Sequence, residues 1–231
     1  MGIKWDWEGF YEYLLNGFLL EGAVTTLWLT IASIVGGLVL GCLVAMLRLA
    51  PVPWISTFAK GYIWIFRGTP LLVQLIIIYT GLPQLGIRLT VVESALTGLI
   101  MNEAAYLAEI IRGGILGVST GQTHAGRALG LNSFQLMVYI VFPQATRIII
   151  PALGNSVNGL LKTTSITSVI SMEELLRSTQ ILIQEKFLVL ELFTVAALYY
   201  LLLTSVWDMI QRRIEARFSK PYSNIEIAES R

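Results

Sequence analysis

Polar and ionisable side chains set inside long apolar runs are the residues of this chain that could do chemistry. Glu103 and Glu109 interrupt the run from Val91 to Ile111, and Asn155, Asn158, Lys162 and Ser165 interrupt the run from Pro151 to Ser171. Gln74 stands in a third run, just after Pro70. A charge at bilayer depth costs about 2.5–3.5 kcal/mol on insertion scales, so such a residue faces a cavity or a partner. Glu103 suits the amino group or cationic side chain of a polar solute. An ion pair with Lys162 is the competing use of the same carboxylate, and the two are compatible. Glu109 precedes Arg112 by one helical turn, the spacing of an ion pair, and a structural role there outweighs solute contact. The amides and Ser165 serve equally well as bonds to neighbouring helices. A single histidine, His124, and a single cysteine, Cys42, build no metal site, disulfide or acid–base set. The sequence has no Gly-x4-Gly-Lys-Ser/Thr phosphate loop.

Membrane spans must position these groups. Hydrophobic residues make up 55% of the 231 residues and charged residues only 13%, about half the charged share of a soluble domain. At about 20 residues per crossing, this length accommodates five or six spans. The net charge of +1, without a basic stripe, gives no sign of nucleic-acid binding. The first span covers Leu19 to Leu47, where Gly36, Gly37 and Gly41 let another helix approach closely. Arg48, Pro51 and Pro53 end it. The second apolar block, Trp54 to Leu82, is interrupted by Arg67, Gly68, Thr69 and Pro70. The part beyond is about 20 Å long as a helix, too short to cross alone. The span is therefore kinked or broken there, as helices that line transport sites often are. A loop over residues 81–90 leads to the third span, Val91 to Ile111, closed by Arg112, Gly113 and Gly114. The fourth span is Pro151 to Ser171. An amphipathic segment, Met172 to Lys186, precedes the fifth, Phe187 to Met209. The first residues are acidic and aromatic and lack the basic segment of a secretory signal. They read as an amphipathic lead-in over residues 1–18, with Trp5, Trp7, Phe10, Tyr11 and Tyr13 at the membrane interface.

The expected fold is an all-α integral membrane protein of five transmembrane helices forming one domain over residues 1–231. One set of loops holds Arg48, Lys60, Arg67, Arg112, Arg127, Arg147 and a tail with Arg212, Arg213, Arg217 and Lys220. The other holds the acidic N-terminus, Arg88 and the mixed segment after Met172. The positive-inside rule then puts the N-terminus outside and the C-terminus in the cytoplasm. The polar stretch over residues 117–151, between the third and fourth spans, is cytoplasmic on the same count. Within it Ser119 and Gln122 have the spacing of a capping box, opening a helix from Thr120 to Leu129. Gly130 suits a left-handed stop. Asn132 and Ser133, with Gln135, start a second helix through Phe142, and Pro143 and Pro151 restart the chain towards the fourth span.

This stretch resembles the EAA loop of permease subunits from type I ABC importers. That pattern is Glu-Ala-Ala, three residues, Gly, nine residues, Ile, one residue, Leu-Pro. The corresponding positions are His124, Ala125, Gly126, Gly130, Ile140, Phe142 and Pro143. The spacing is kept, while His124, Gly126 and Phe142 depart from the pattern. FRGTPLLVQL from Phe66, LPQLGI from Leu82 and AAYLAEIIRGGI from Ala104 resemble the polar amino acid uptake branch of that family. So does the continuation from Pro143 to Ser171. The likeness covers roughly Gly17 to Arg217 and is to permeases for histidine, glutamine, arginine and cystine.

The resemblance implies a multi-pass permease subunit in the bacterial cytoplasmic (inner) membrane that imports polar, including basic, amino acids. It implies an extracytoplasmic solute-binding protein that delivers the amino acid, and a second permease subunit, identical or paralogous. It also implies a dimer of ABC ATP-binding subunits. ATP and Mg belong to that dimer, and this chain binds no cofactor and is not itself an enzyme. The loop residues Ser119, Gln122, His124, Ala125, Gly126, Arg127, Gly130 and Pro143 would form the coupling element. Gly126 would allow close approach to the ATPase, and Arg127 would meet an acidic groove residue. His124 lacks the anion that favours a helix N-terminus. Weaker coupling, a compensating change in the ATPase, a heterodimeric permease and a tolerated exposed substitution all remain open. Arg67, Gly68, Thr69, Pro70 and Glu109 are structural or gating candidates. Glu103, Gln74, Asn155, Asn158, Lys162 and Ser165 are the substrate-binding candidates, and Glu103 would compensate for Thr163 at a position often occupied by Asp. A secondary transporter or channel subunit is the alternative, but no inverted repeat or ion-coupling acid cluster supports it.

Overall fold

The structure, a computed structural model, describes residues 5–219. The first four residues of the lead-in, and Lys220 of the basic tail, lie outside them. Among the described residues every element is helical. α1 (Trp7–Leu14) starts on Asp6, whose carboxylate accepts from the Gly9 N–H at 3.1 Å. The Asp6 N–H donates to Glu191, and Tyr199 donates to the Leu14 carbonyl, tying α1 to the last helix. Trp7 and Tyr11 lie exposed on the outer side of α1, as an interfacial helix requires. Tyr13 departs from that expectation: it is buried against Leu19, Leu175 and Val195.

α2 (Gly17–Leu49) is apolar on every face, the pattern of a helix surrounded by lipid or protein. Pro53 opens α3 (Pro53–Gly68), a place where its missing N–H costs nothing. α4 (Leu71–Ile76) continues through a π turn, Ile77–Gly81, and a 3-10 turn, Leu82–Leu85, and meets α3 at 102°. The second span is thus broken at Arg67–Pro70, as expected. Gly86, at φ +84°, reverses the chain, and Thr90 and Glu93 form a capping box for α5 (Val91–Leu116). α5 runs through Gly113 and Gly114 instead of stopping there. Gly114 is needed for close packing, since a Cβ on it would collide with Ile149.

The polar stretch holds α6 (Thr120–Ala128) and α7 (Ser133–Leu136). From α7 a π turn, Met137–Val141, leads straight into α8 (Phe142–Thr163), and a 3-10 segment extends that to Ile170. Beginning the fourth span at Pro151 was too late. Helix runs from Ser133 to Ile170, with Pro143 in the first turn of α8 and Pro151 inside it. Apolar surroundings penalise unravelled backbone more than one missing hydrogen bond, so the proline does not end the helix.

α9 (Leu175–Lys186) is short and pinned by Glu174, which is fully buried. Glu174 accepts from the N–H groups of Leu176 and Arg177 and from the hydroxyls of Tyr200 and Thr26. α10 (Val189–Ser219) completes the fold and extends beyond the expected Met209. Three helical runs, in α2, Ser133–Ile170 and α10, are long and apolar enough to cross a membrane, and the bent pair α3–α4 makes a fourth. α5 is about 39 Å long but carries Glu93, Glu103, Glu109 and Arg112.

α5 is the central helix, packed along the glycine face of α2. Cβ atoms built on Gly36 and Gly37 would press on Ile100 and Glu103, and one on Gly41 would stand 3.0 Å from the Ala104 carbonyl oxygen. A valine at Gly41 must push two backbones apart, so Gly41→Val should cost about 1–3 kcal/mol and lower the unfolding temperature in detergent. Gly61 has open space around it. Gly61→Ala should leave that temperature unchanged or raise it, by up to about 1 kcal/mol of helix propensity.

Candidate functional site

The site begins at the break between α3 and α4. In a continuous helix the Phe66 carbonyl would accept from the N–H of residue 70, and Pro70 has none. Two side chains replace it. Gln74 Nε2 donates to Phe66 O at 3.0 Å, and Asn102 Nδ2 donates to the same oxygen at 3.1 Å. Gln74 also donates to the Thr69 carbonyl and hydroxyl, and its own Oε1 accepts from Asn102. Tyr62 donates to the Met101 carbonyl at 2.7 Å, fastening α3 to α5 beside this network.

Opposite the break, α5 and α8 close a cavity of about 560 Å³. Arg67, Gly68, Thr69 and Pro70 line it from the break, Asn102, Glu103 and Tyr106 from α5, and Ser156, Gly159 and Thr163 from α8. The Arg67 guanidinium lies 5.2 Å from the centre of the Tyr106 ring, within cation–π range. Glu103 is only 8% exposed, and among the described residues its Oε1 has no hydrogen-bond partner. One wall thus offers a cation, another a carboxylate with unused acceptor capacity, and Ser156 and Thr163 add hydroxyls. This arrangement suits a small zwitterionic or cationic solute.

Of the six substrate-binding candidates, Glu103 alone lines this cavity. Gln74 is buried and committed to the break. Asn158 donates to Asp208 at 2.6 Å, and Asn155 accepts from Gln211 at 3.5 Å, so both turn to α10. Lys162 and Ser165 open on a separate cleft of about 420 Å³, beside Tyr200 and Thr204. The Glu103–Lys162 ion pair, the competing use of that carboxylate, is absent among the described residues. The reason is helical rotation: Ser156, Gly159 and Thr163 share one face of α8, and Asn155, Asn158 and Lys162 share another. Glu109 behaves as its spacing foretold, with a two-point ion pair to Arg112 at 2.7 and 3.0 Å. Asn102, Tyr106 and Ser156 were missed by the sequence reading. Tyr106 lies one turn after both Asn102 and Glu103, and Ser156 lies two turns before Thr163, so periodicity could have found them.

The polar stretch folds into a compact turn. Asn132 and Gln135 form the expected capping box, and Gly130 takes the left-handed φ of +81°. The capping box foreseen at Ser119 and Gln122 does not form. The Gln122 N–H bonds the Ser119 backbone oxygen instead, and the Ser119 side chain makes no cap. Gly126 is buried against the Leu136 side chain, so its small size serves packing inside the turn. His124, Ala125 and Arg127 are exposed.

A polar cavity at a broken span, walled by membrane-long helices, defines a solute-conducting membrane subunit. The chain belongs to the family of binding-protein-dependent transport system inner membrane components, which matches residues 37–220. It is a multi-pass inner-membrane permease component, and the secondary-transporter and channel alternative is set aside by that match. The glutamine transport system permease protein GlnP of Escherichia coli is 36% identical over 218 residues, 93% of this chain and 98% of GlnP. The arginine transport system permease protein ArgU of Corynebacterium glutamicum is 37% identical, covering 94% of this chain and 73% of ArgU. A solved amino acid ABC transporter with histidines superposes with a TM-score of 0.88 at 34% identity, over 93% of this chain and all of that one. The MetNI methionine ABC transporter, at 20% identity and a TM-score of 0.73, shares the fold.

Gln74→Leu keeps the bulk near the break but removes its donors. Leaving buried carbonyls short of partners costs about 1–3 kcal/mol, so this variant should unfold at lower temperature in detergent than the wild type.

Proposed function

We propose that this chain is the membrane half of an ATP-driven importer of polar amino acids, cationic ones included, and that Glu103 receives the cationic side chain of the basic ones. The observation that carries this is the buried, under-partnered Glu103 carboxylate in the cavity at the broken span. The names of the relatives, which transport glutamine and arginine, support the substrate class. Five crossings are proposed: α2, the broken α3–α4, α5, α8 with its 3-10 extension, and α10. The basic residues put the N-terminus outside and the C-terminus in the cytoplasm. Residues 1–18 then lie on the outer surface as a lead-in, and residues 117–151 form the cytoplasmic coupling loop of a single domain.

The coupling turn is rigid enough to transmit motion and apolar enough to dock. Leu129 and Phe134, on either side of Gly130, are 81% and 77% exposed. A separate ATP-binding subunit dimer would seat them, and ATP and Mg would act there, with no cofactor held by this chain. Exposed His124 and Arg127 would lie at that contact. Lys162 and Asn155 are exposed on α8 at membrane depth. A lysine there requires water or protein, which supports a second permease subunit across a shared pathway. An extracytoplasmic binding protein would deliver the amino acid.

The test is uptake into proteoliposomes holding the complete transporter and its binding protein, with and without ATP. A hydrogen bond to a charged group contributes about 1.5–3 kcal/mol. Glu103→Gln should therefore reduce transport of arginine roughly tenfold to hundredfold and that of glutamine much less. Equal losses for both, or none, would sink the assignment of Glu103.

A further inference from the structure

We propose that the outer groove between α2, α8 and α10 holds one acyl chain of an anionic phospholipid, with Arg213 and Arg217 taking its headgroup. Two cavities of about 430 and 210 Å³ share Ile34, Val157 and Trp207, so they form one continuous groove. It follows α10 from Leu202 to Ile214, a length of about 18 Å. The groove asks for hydrocarbon. The Trp207 indole N–H donates to the Gly154 carbonyl at 2.8 Å, the Thr30 hydroxyl donates to the Thr26 carbonyl, and Gln211 bonds Glu215.

Charge settles the class of lipid. Val206 and Ile210 line the groove on α10, and Arg213 and Arg217 continue the same helical stripe beyond them. Both arginines are exposed, and among the described residues neither forms an ion pair. An apolar trough with two cations just beyond its Ile214 end, unpaired among the described residues, complements a lipid with a negative headgroup. Arg212 points to the other side of α10 and provides an internal control. The leaflet concerned, the cytoplasmic one, rests on the orientation proposed above. The binding itself is read without transport, so it can fail or succeed independently of that reading.

The experiment uses the full chain purified in mild detergent. Phosphatidylglycerol and phosphatidylcholine are added in turn, and retained lipid is counted by native mass spectrometry. Each basic residue near a membrane surface contributes about 1 kcal/mol towards anionic lipid. The double variant Arg213→Gln/Arg217→Gln should therefore lose roughly tenfold to thirtyfold of the preference for phosphatidylglycerol. Arg212→Gln should keep the preference, and Val206→Trp, which fills the trough, should lower retention of both lipids. Equal retention of the two lipids by the wild type would overturn the proposal, as would a double variant that matches it. So would a disulfide between Val206→Cys and a cysteine placed in a second copy of the chain, because that copy would then occupy the groove.

Discussion

A helix that breaks inside an apolar layer leaves a carbonyl without its helical partner, and the Phe66 carbonyl is that group. Each unsatisfied backbone group in hydrocarbon costs several kcal/mol, comparable with the whole net stability of many domains. Pro70 creates the deficit, and Gln74 and Asn102 remove it with two hydrogen bonds to one oxygen. Because the two amides also bond each other, the break is tied to α5 and cannot slide along it. The sharp bend is therefore a fixed corner, and the cavity exists because the corner is fixed.

The same requirement sorts the polar residues into those that hold the structure and those left for chemistry. Glu174 is fully buried yet receives four hydrogen bonds from two backbone N–H groups and two hydroxyls. Glu109 has its arginine, and Asn158 has Asp208. These groups have no capacity to spare. Glu103 is also buried, and the stem of its side chain packs against Gly37 of α2, but among the described residues one of its oxygens is left without a partner. Burial without satisfaction is costly, which is why Glu103 is the group on which the proposed substrate contact rests.

Most of the architecture was legible in the sequence, because apolar runs and prolines act locally. The break at Arg67–Pro70, the glycine face of α2, the left-handed Gly130 and the Asn132–Gln135 cap all follow from residue types at short range. What failed depended on neighbours far along the chain. Pro151 read as a helix start, yet the apolar surroundings hold the helix together through it. Lys162 and Glu103 share a depth, but depth does not fix rotation, and α8 turns the lysine to another cleft. Ser119 had the right spacing for a capping box, but cap geometry depends on how the chain enters the helix, and here backbone bonds took the place of the side chain. Gln74 looked like a substrate ligand because the orphan carbonyl that claims it is invisible until α3 and α4 are folded against each other.

The continuity of α8 links the two ends of the molecule. Helix runs without a break from the capping box at Asn132 to Thr163 on the cavity wall, about 45 Å at the helical rise. At its lower end, Gly126 lets Leu136 seat against α6, so the turn and the start of the helix form one packed body. Gly114 does the same further along α8, bringing α5 against Ile149. A push on the exposed turn is therefore received by α8 itself rather than absorbed in a loose connection. The π turn at Met137–Val141 is the one irregularity in the path, and π turns are common where a helix must flex for function. Ser156 and Thr163 ride on the same helix as that turn, whereas Arg67 and Thr69 stand on the fixed corner. Motion of the turn would thus change the distance between two walls of one cavity, which is what the proposed coupling to a solute beside Glu103 requires.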